Sequence, residues 1–204
     1  MKSQMACALL VAFVLAMAGC APEDSLFGLV GDNDKEFDQR LVGDWSMQSG
    51  SEFKPGEQSA RIVFRQSGND PEYEVTLFDF DEHGMNIVCT GQLVRLGTAL
   101  FIDFGTRSPE KHKFAEIPFP ALETHIFGRI RIEQNSVRID FLSDDWVKAQ
   151  VQAGKMTLAT VGTKDGPVIS APTEELRKFA LEHAQDSGAF SESYSMIRNQ
   201  QPPA

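Results

Sequence analysis

Cysteine is scarce in this chain: Cys7, Cys20 and Cys89 are the only three in 204 residues. So few exclude a small domain stapled by disulfides. Tryptophan and tyrosine are rare too, two of each, while phenylalanine numbers 15. That imbalance suits a buried aromatic core better than an exposed platform for sugars or bases. Positive charge is in deficit, with 19 Lys+Arg against 29 Asp+Glu and a net charge of −10. A surface that acidic speaks against binding a phosphate backbone, so no nucleic-acid partner is expected. There is no P-loop, no G-x-G-x-x-G, no G-x-S-x-G and no H-E-x-x-H, and no repeat of fixed period. What is present is ordinary globular material, 42% apolar and 24% charged.

The N-terminus carries an address. Lys2 supplies a positive start, and Met5–Ala18 is an uncharged apolar run. That run has signal-peptide length and falls short of the ~20 residues that span a bilayer. Ala16, Met17, Ala18 and Gly19 then lead into Cys20. This resembles the lipobox of bacterial lipoproteins, in which signal peptidase II cuts before a diacylglyceryl-modified cysteine. Ala18-Gly19 fits the pattern, and Met17 stands where leucine is usual. The resemblance implies a signal peptide over 1–19, lipidation at Cys20 and a membrane partner reached through that lipid. It leaves Cys89 as the only other thiol of the mature chain. Ala21, rather than aspartate, after Cys20 implies the outer membrane, facing the periplasm, by likeness to known sorting signals.

Residues 20–34 lack periodicity and read as a lipidated N-terminus and flexible tether; residues 191–204 read as a polar tail. Between them, over 35–190, period-two segments dominate. Arg61 to Arg65, Tyr73 to Phe80, Met85 to Leu96 and Ala99 to Phe104 alternate, the last two joined at Gly97-Thr98. His125 to Glu133 places Ile126, Gly128, Ile130 and Ile132 on one face and Phe127, Arg129 and Arg131 on the other. Its hairpin partner, Val137 to Leu142, turns Val137, Ile139 and Phe141 inward. Such clean alternation predicts antiparallel strands with one dry and one wet face, with Asp140 opposite Arg129 or Arg131 at an exposed pair. Ser143 is a good N-cap for a helix ending near Gly154. A second helix begins at Pro172-Thr173, with Leu176, Phe179, Ala180 and His183 at i, i+3, i+4 and i+7. The expectation is a mainly β chain: an antiparallel up-and-down barrel of eight or nine strands with two short helices near the C-terminus.

Phe37 to Trp45 reads FDQRLVGDW, a helical turn followed by Gly43-x-Trp45 at the start of the first long strand. This is similar to the G-x-W signature of lipocalins and related calycins. The resemblance implies that Gly43 lets the chain bend into the barrel and that Trp45 plugs its closed end. Two departures accompany it. There is no Thr-Asp-Tyr motif, and no residue is assignable as the arginine that covers the tryptophan in that family.

The chemistry-bearing residues are scattered. His83, His112, His125 and His183 have no metal-ligand spacing, so no metal or other cofactor is expected. Asp79 to Gly84 begins like a calcium loop, but Thr90 stands where its closing glutamate belongs, and an acidic hairpin turn explains the segment better. Cys89 sits in an apolar run with no adjacent base and reads as an inert buried thiol. Asp144-Asp145 and Glu174-Glu175 each begin a helix, where the helix dipole accounts for them. Glu110 to Leu122 holds the basic cluster Lys111-His112-Lys113, then Phe114, Ile117, Phe119 and two prolines. It reads as a loop, either a portal at a barrel mouth or, preferably, a plug on the barrel's outside. With no catalytic set, the expectation is a protein that is not an enzyme. It is either a tethered barrel that binds a small apolar ligand, or a solid barrel that binds or inhibits another envelope protein.

Overall fold

In the computed structural model, which describes residues 22–31, 33–48, 61–68, 70–78, 86–105, 124–164 and 166–199, the alternating segments form a closed antiparallel barrel of eight strands. In chain order the strands are β1 (Lys35–Glu36), β2 (Gly43–Gln48), β3 (Arg61–Gln66), β4 (Tyr73–Phe78), β5 (Ile87–Leu96), β6 (Ala99–Gly105), β7 (His125–Ile132) and β8 (Ser136–Phe141). Then follow helix α1 (Asp144–Gln152), the hairpin β9 (Thr160–Gly162) and β10 (Pro167–Ile169), helix α2 (Thr173–Glu182) and finally β11 (Glu192–Arg198). Each barrel strand from β2 to β8 pairs with its neighbour in sequence. β11 closes the ring between β8 and β2. Closure removes the unpaired edges that an open sheet of this width would expose. The extra strand β1 pairs with Leu93 and Val94 of β5, beyond Gly91, where the pairing of β4 with β5 ends.

The alternation sorts side chains as expected. Trp45, Ile62, Phe64, Val75, Leu93, Ile102, Ile130, Val137 and Ile139 point inward and are buried together. The outside of the barrel is less wet than the alternation suggests. Val94, Phe101 and Phe127 point outward from β5, β6 and β7 and are buried under α1, α2 and the following loop, in a second core with Leu142, Val147, Leu176, Phe179 and Phe190. Asp140 does lie opposite Arg129, but the pair is not exposed. Asp140 is buried and accepts from Ser193 Oγ at 2.6 Å and Arg138 Nε at 2.8 Å. Arg129 donates to the Ala184 and Phe190 carbonyls, tying the chain after α2 down to the barrel wall.

The helices form where their caps place them. Ser143 Oγ accepts from the Trp146 amide, and Gly154 takes a positive φ of 64° just past the end of α1. On α2, Leu176, Phe179 and Ala180 face the barrel, while Thr173 Oγ1 donates to the Gly28 carbonyl instead of capping the helix.

Two boundaries differ from the sequence reading. The segment read as a flexible tether is packed from Pro22 to Gly31. Leu29 and Ser25 have no exposed surface, and Ser25 exchanges two 2.8 Å backbone bonds with His125. Leu26 and Ile169 are joined at 2.8 Å. The buried Asp103 carboxylate accepts from the Leu29 and Val30 amides, which is why a segment short of apolar residues is held. The segment read as a polar tail supplies β11, with Met196 buried inside the barrel.

Candidate functional site: an apolar cavity in the barrel

One end of the barrel is closed by bulk. Trp45 is fully buried, and its Nε1 donates to the Leu41 carbonyl at 2.9 Å. The Arg198 guanidinium lies over the indole, 4.1 Å from the ring centroid. It also donates to the carbonyls of Val42, at 3.0 Å, and of Arg40. Gly43 is required here. Its φ is +151°, a backbone region that side chains rarely adopt, and a Cβ would collide with the Arg198 guanidinium. Tyr73 and Phe64 pack beside the plug, Phe37 stacks on Tyr73 at 5.0 Å, and the Tyr73 hydroxyl accepts from the Asp38 amide at 2.7 Å. Arg198 thus covers Trp45, a role to which the sequence reading assigned no residue. It escaped notice because its strand reads as tail. The alternation of Tyr194 and Met196 was the available signal.

The other end is hollow. Above the plug, Met47, Ile62, Leu77, Ile87, Cys89, Phe104, Ile126, Ile139, Phe141, Tyr194 and Met196 line a cavity of about 310 Å³, every strand of the barrel contributing at least one. Pro22, Asp24 and Thr124 complete the lining. Its wall is almost wholly apolar. Among the described residues, the polar side chains of the lining apart from Asp24 are the Cys89 thiol and the Tyr194 and Thr124 hydroxyls. Burial pushes the Cys89 thiol up to about 12, so it stays protonated at neutral pH and is a poor nucleophile. A volume near 310 Å³ lies at the lower end of the range for ligand pockets, roughly 300–1,000 Å³. It is about twice the ~150 Å³ that accepts a benzene ring, so it suits about a dozen carbon atoms.

Beside Pro22 and Asp24 lies a buried carboxyl group. Glu23 is 2% exposed, and its Oε1 has no hydrogen-bond partner among the described residues. Burial first, and then the neighbouring Asp144 charge, raises its pKa to about 8. Lys148, paired with Asp144 one helical turn away, opposes this only weakly. Glu23 therefore takes up a proton on folding between pH about 4.5 and about 8. Stability should be complete below that window and fall as the pH rises through it. Glu23→Gln should match the wild type in melting temperature at pH 5 and exceed it by several degrees at pH 9. Parallel curves of melting temperature against pH would sink this assignment.

The other residues singled out from the sequence do not converge. Gly43 and Trp45 sit at the closed end, away from the cavity lining. His125 Nδ1 lies 2.9 Å from Asp103 Oδ1 in the contact that holds the N-terminal segment to the barrel wall. His183 ends α2 against Trp146 and Phe179. Asp144 and Asp145 open α1 and Glu174 and Glu175 open α2, as the dipole argument expects. No group of His, Cys, Asp and Glu among the described residues is placed to hold a metal ion. Cys20, His83, His112, the Asp79–Gly84 turn and the Glu110–Leu122 loop lie outside the described residues. Pro22, Asp24 and Glu23 were missed as part of the site because a short, polar, glycine-containing stretch carries no period of its own. Set against models of known protein families, curated proteins and solved structures, the chain matches none of them.

Proposed function

We propose that this chain is an envelope lipoprotein, anchored through Cys20, whose barrel is a non-enzymatic, lipocalin-like module for a small apolar ligand. The observation that carries this reading is the apolar cavity of about 310 Å³ above the Trp45 plug. A solid barrel would fill that space with its own side chains. The cavity thus counts against the alternative, a filled barrel that binds or inhibits another envelope protein through its acidic surface. Among the described lining residues the Cys89 thiol stays protonated at neutral pH, and two hydroxyls and the Asp24 carboxylate are the other reactive groups, a set that favours binding over chemistry. The apolar run before Cys20 and the small residues around it support the anchor, and with it a periplasmic position at the outer membrane.

Two experiments test the two halves of this proposal. The soluble form should start at Ala21, since Pro22 to Gly31 belongs to the fold. Native mass spectrometry with organic extraction should find an apolar guest, and a fluorescent fatty acid should bind and be displaced by a plain one. Ile139→Trp, which fills the cavity, should weaken that binding at least tenfold. An empty protein that binds no apolar probe would reject the ligand reading. For the anchor, Cys20→Ser should abolish incorporation of a clickable fatty acid and leave the precursor unprocessed. Unchanged labelling in that variant would reject it.

A further inference from the structure

The packing of Pro22 to Gly31 against the barrel sets where a lipid on Cys20 would begin. Pro22 lines the cavity and pairs with Ser143, and the Glu23 amide donates to the Leu142 carbonyl at 3.0 Å. The chain is therefore fixed to the barrel from Pro22 to Gly31. Cys20 precedes Pro22 by two residues, so at most ~7 Å of extended chain separates its Cα from that of a lining residue. An acyl chain on Cys20 starts within reach of the opening. The interior it would meet presents Met47, Leu77, Ile87, Ile139 and Met196, with no charged side chain other than Asp24 among the described residues.

We propose that the barrel cavity is the seat of one of the protein's own Cys20-linked acyl chains. The inference rests on the anchoring reading above and names the guest of the apolar site. Covalent attachment makes the guest intramolecular, at an effective concentration in the millimolar range, which a free ligand in the periplasm must exceed to compete. Each buried methylene gains about as much relative to water in the cavity as in a bilayer. Per methylene the cavity therefore competes with the membrane on near-equal terms. The transfer path is short because the opening is next to the anchor. A space for about a dozen carbons takes most of one chain. A lipoprotein cysteine carries more than one, so the others stay in the bilayer and the protein remains attached. In water, away from a bilayer, the cavity offers that chain an apolar refuge, and occupancy should rise.

Cells expressing the full chain would be fed a fatty acid bearing both an alkyne and a photoreactive diazirine, then irradiated. Peptide mapping of the isolated protein would locate the crosslinks. The expected result is crosslinks within one chain, from the acyl group on Cys20 to peptides carrying Cys89, Ile139 or Met196. Ile139→Trp should reduce them at least fivefold while the acyl mass on Cys20 is unchanged. Met47→Trp, at a half-buried position of the lining, provides a second variant, and the melting temperature of each variant checks that it has folded. An acylated Cys20 that crosslinks only to bilayer lipids, or to residues outside the barrel, overturns the inference and leaves the anchoring reading standing. A Cys20 without acyl mass overturns both.

Discussion

Trp45→Ala should lower stability by about 3–5 kcal/mol, the usual cost of truncating a buried aromatic residue. For a domain of this size that is roughly 6–20 °C in melting temperature. The indole has no exposed surface, so its removal opens a void at the base of the barrel that only partial collapse can relieve. It also strips Arg198 of the ring it covers and the Leu41 carbonyl of its donor. Arg198→Ala should cost less, about 1–3 kcal/mol, because it removes the cation–π contact and the bonds to the Val42 and Arg40 carbonyls but leaves the core filled. Arg198→Lys should rescue little, since an ammonium cannot lie flat on the indole and reach both carbonyls. Trp146, half-buried on α1 against Phe179 and His183, is the internal comparison, and its truncation should cost less than that of Trp45. Thermal melts of the four variants check the order. Because the plug is not part of the cavity lining, Trp45→Ala should keep apolar-probe binding under conditions where it stays folded. A variant that melts like the wild type yet loses the probe would move Trp45 from the plug to the binding site.

Starting the chain at Asp34 instead of Ala21 should be at least as damaging. Removing Leu29 from its fully buried position costs ~2–5 kcal/mol on its own. The Asp103 carboxylate, 3% exposed, would lose the Leu29 and Val30 amides and keep only His125 among the partners described above. A buried acceptor left short of donors adds ~1–3 kcal/mol. The backbone bonds from Ser25 to His125, from Leu26 to Ile169 and from Glu23 to Leu142 would go as well. The sum is a large part of the ~5–15 kcal/mol that holds a domain together. The expected outcome is a protein that is insoluble or melts at least 10 °C lower, while the form from Ala21 behaves as the full domain. Leu29→Ala in that longer form should fall between them. Equal melting temperatures for the two starting points would return residues 20–34 to the role of a tether.

Both predictions turn on segments that the sequence describes poorly, and the reason is physical. Gly43-x-Trp45 was legible as a plug because a bend and a large apolar residue are local features. Its cover was not, because the contact of Arg198 with Trp45 depends on which strand closes the ring. A strand of mixed polarity such as Glu192–Arg198 has a period too weak to separate it from a tail. The cavity was legible only as an expectation of an apolar interior. Its emptiness depends on how Met47, Leu77, Cys89 and Ile139 meet across the barrel, which no periodicity specifies.

The sequence by itself determined the hairpins, the inward faces of the strands, both helix starts and the apolar character of the interior. These follow from a two-residue period, from caps and from turn glycines, all of which act over a few residues. Only the tertiary structure decided that β11 closes the barrel, that helices cover Val94, Phe101 and Phe127 on its outside, and that Pro22 to Gly31 is bound down beside the cavity. Each of those outcomes joins residues far apart in the chain. A face can be read as apolar from its own residues, but what buries it depends on a partner that its own period does not encode.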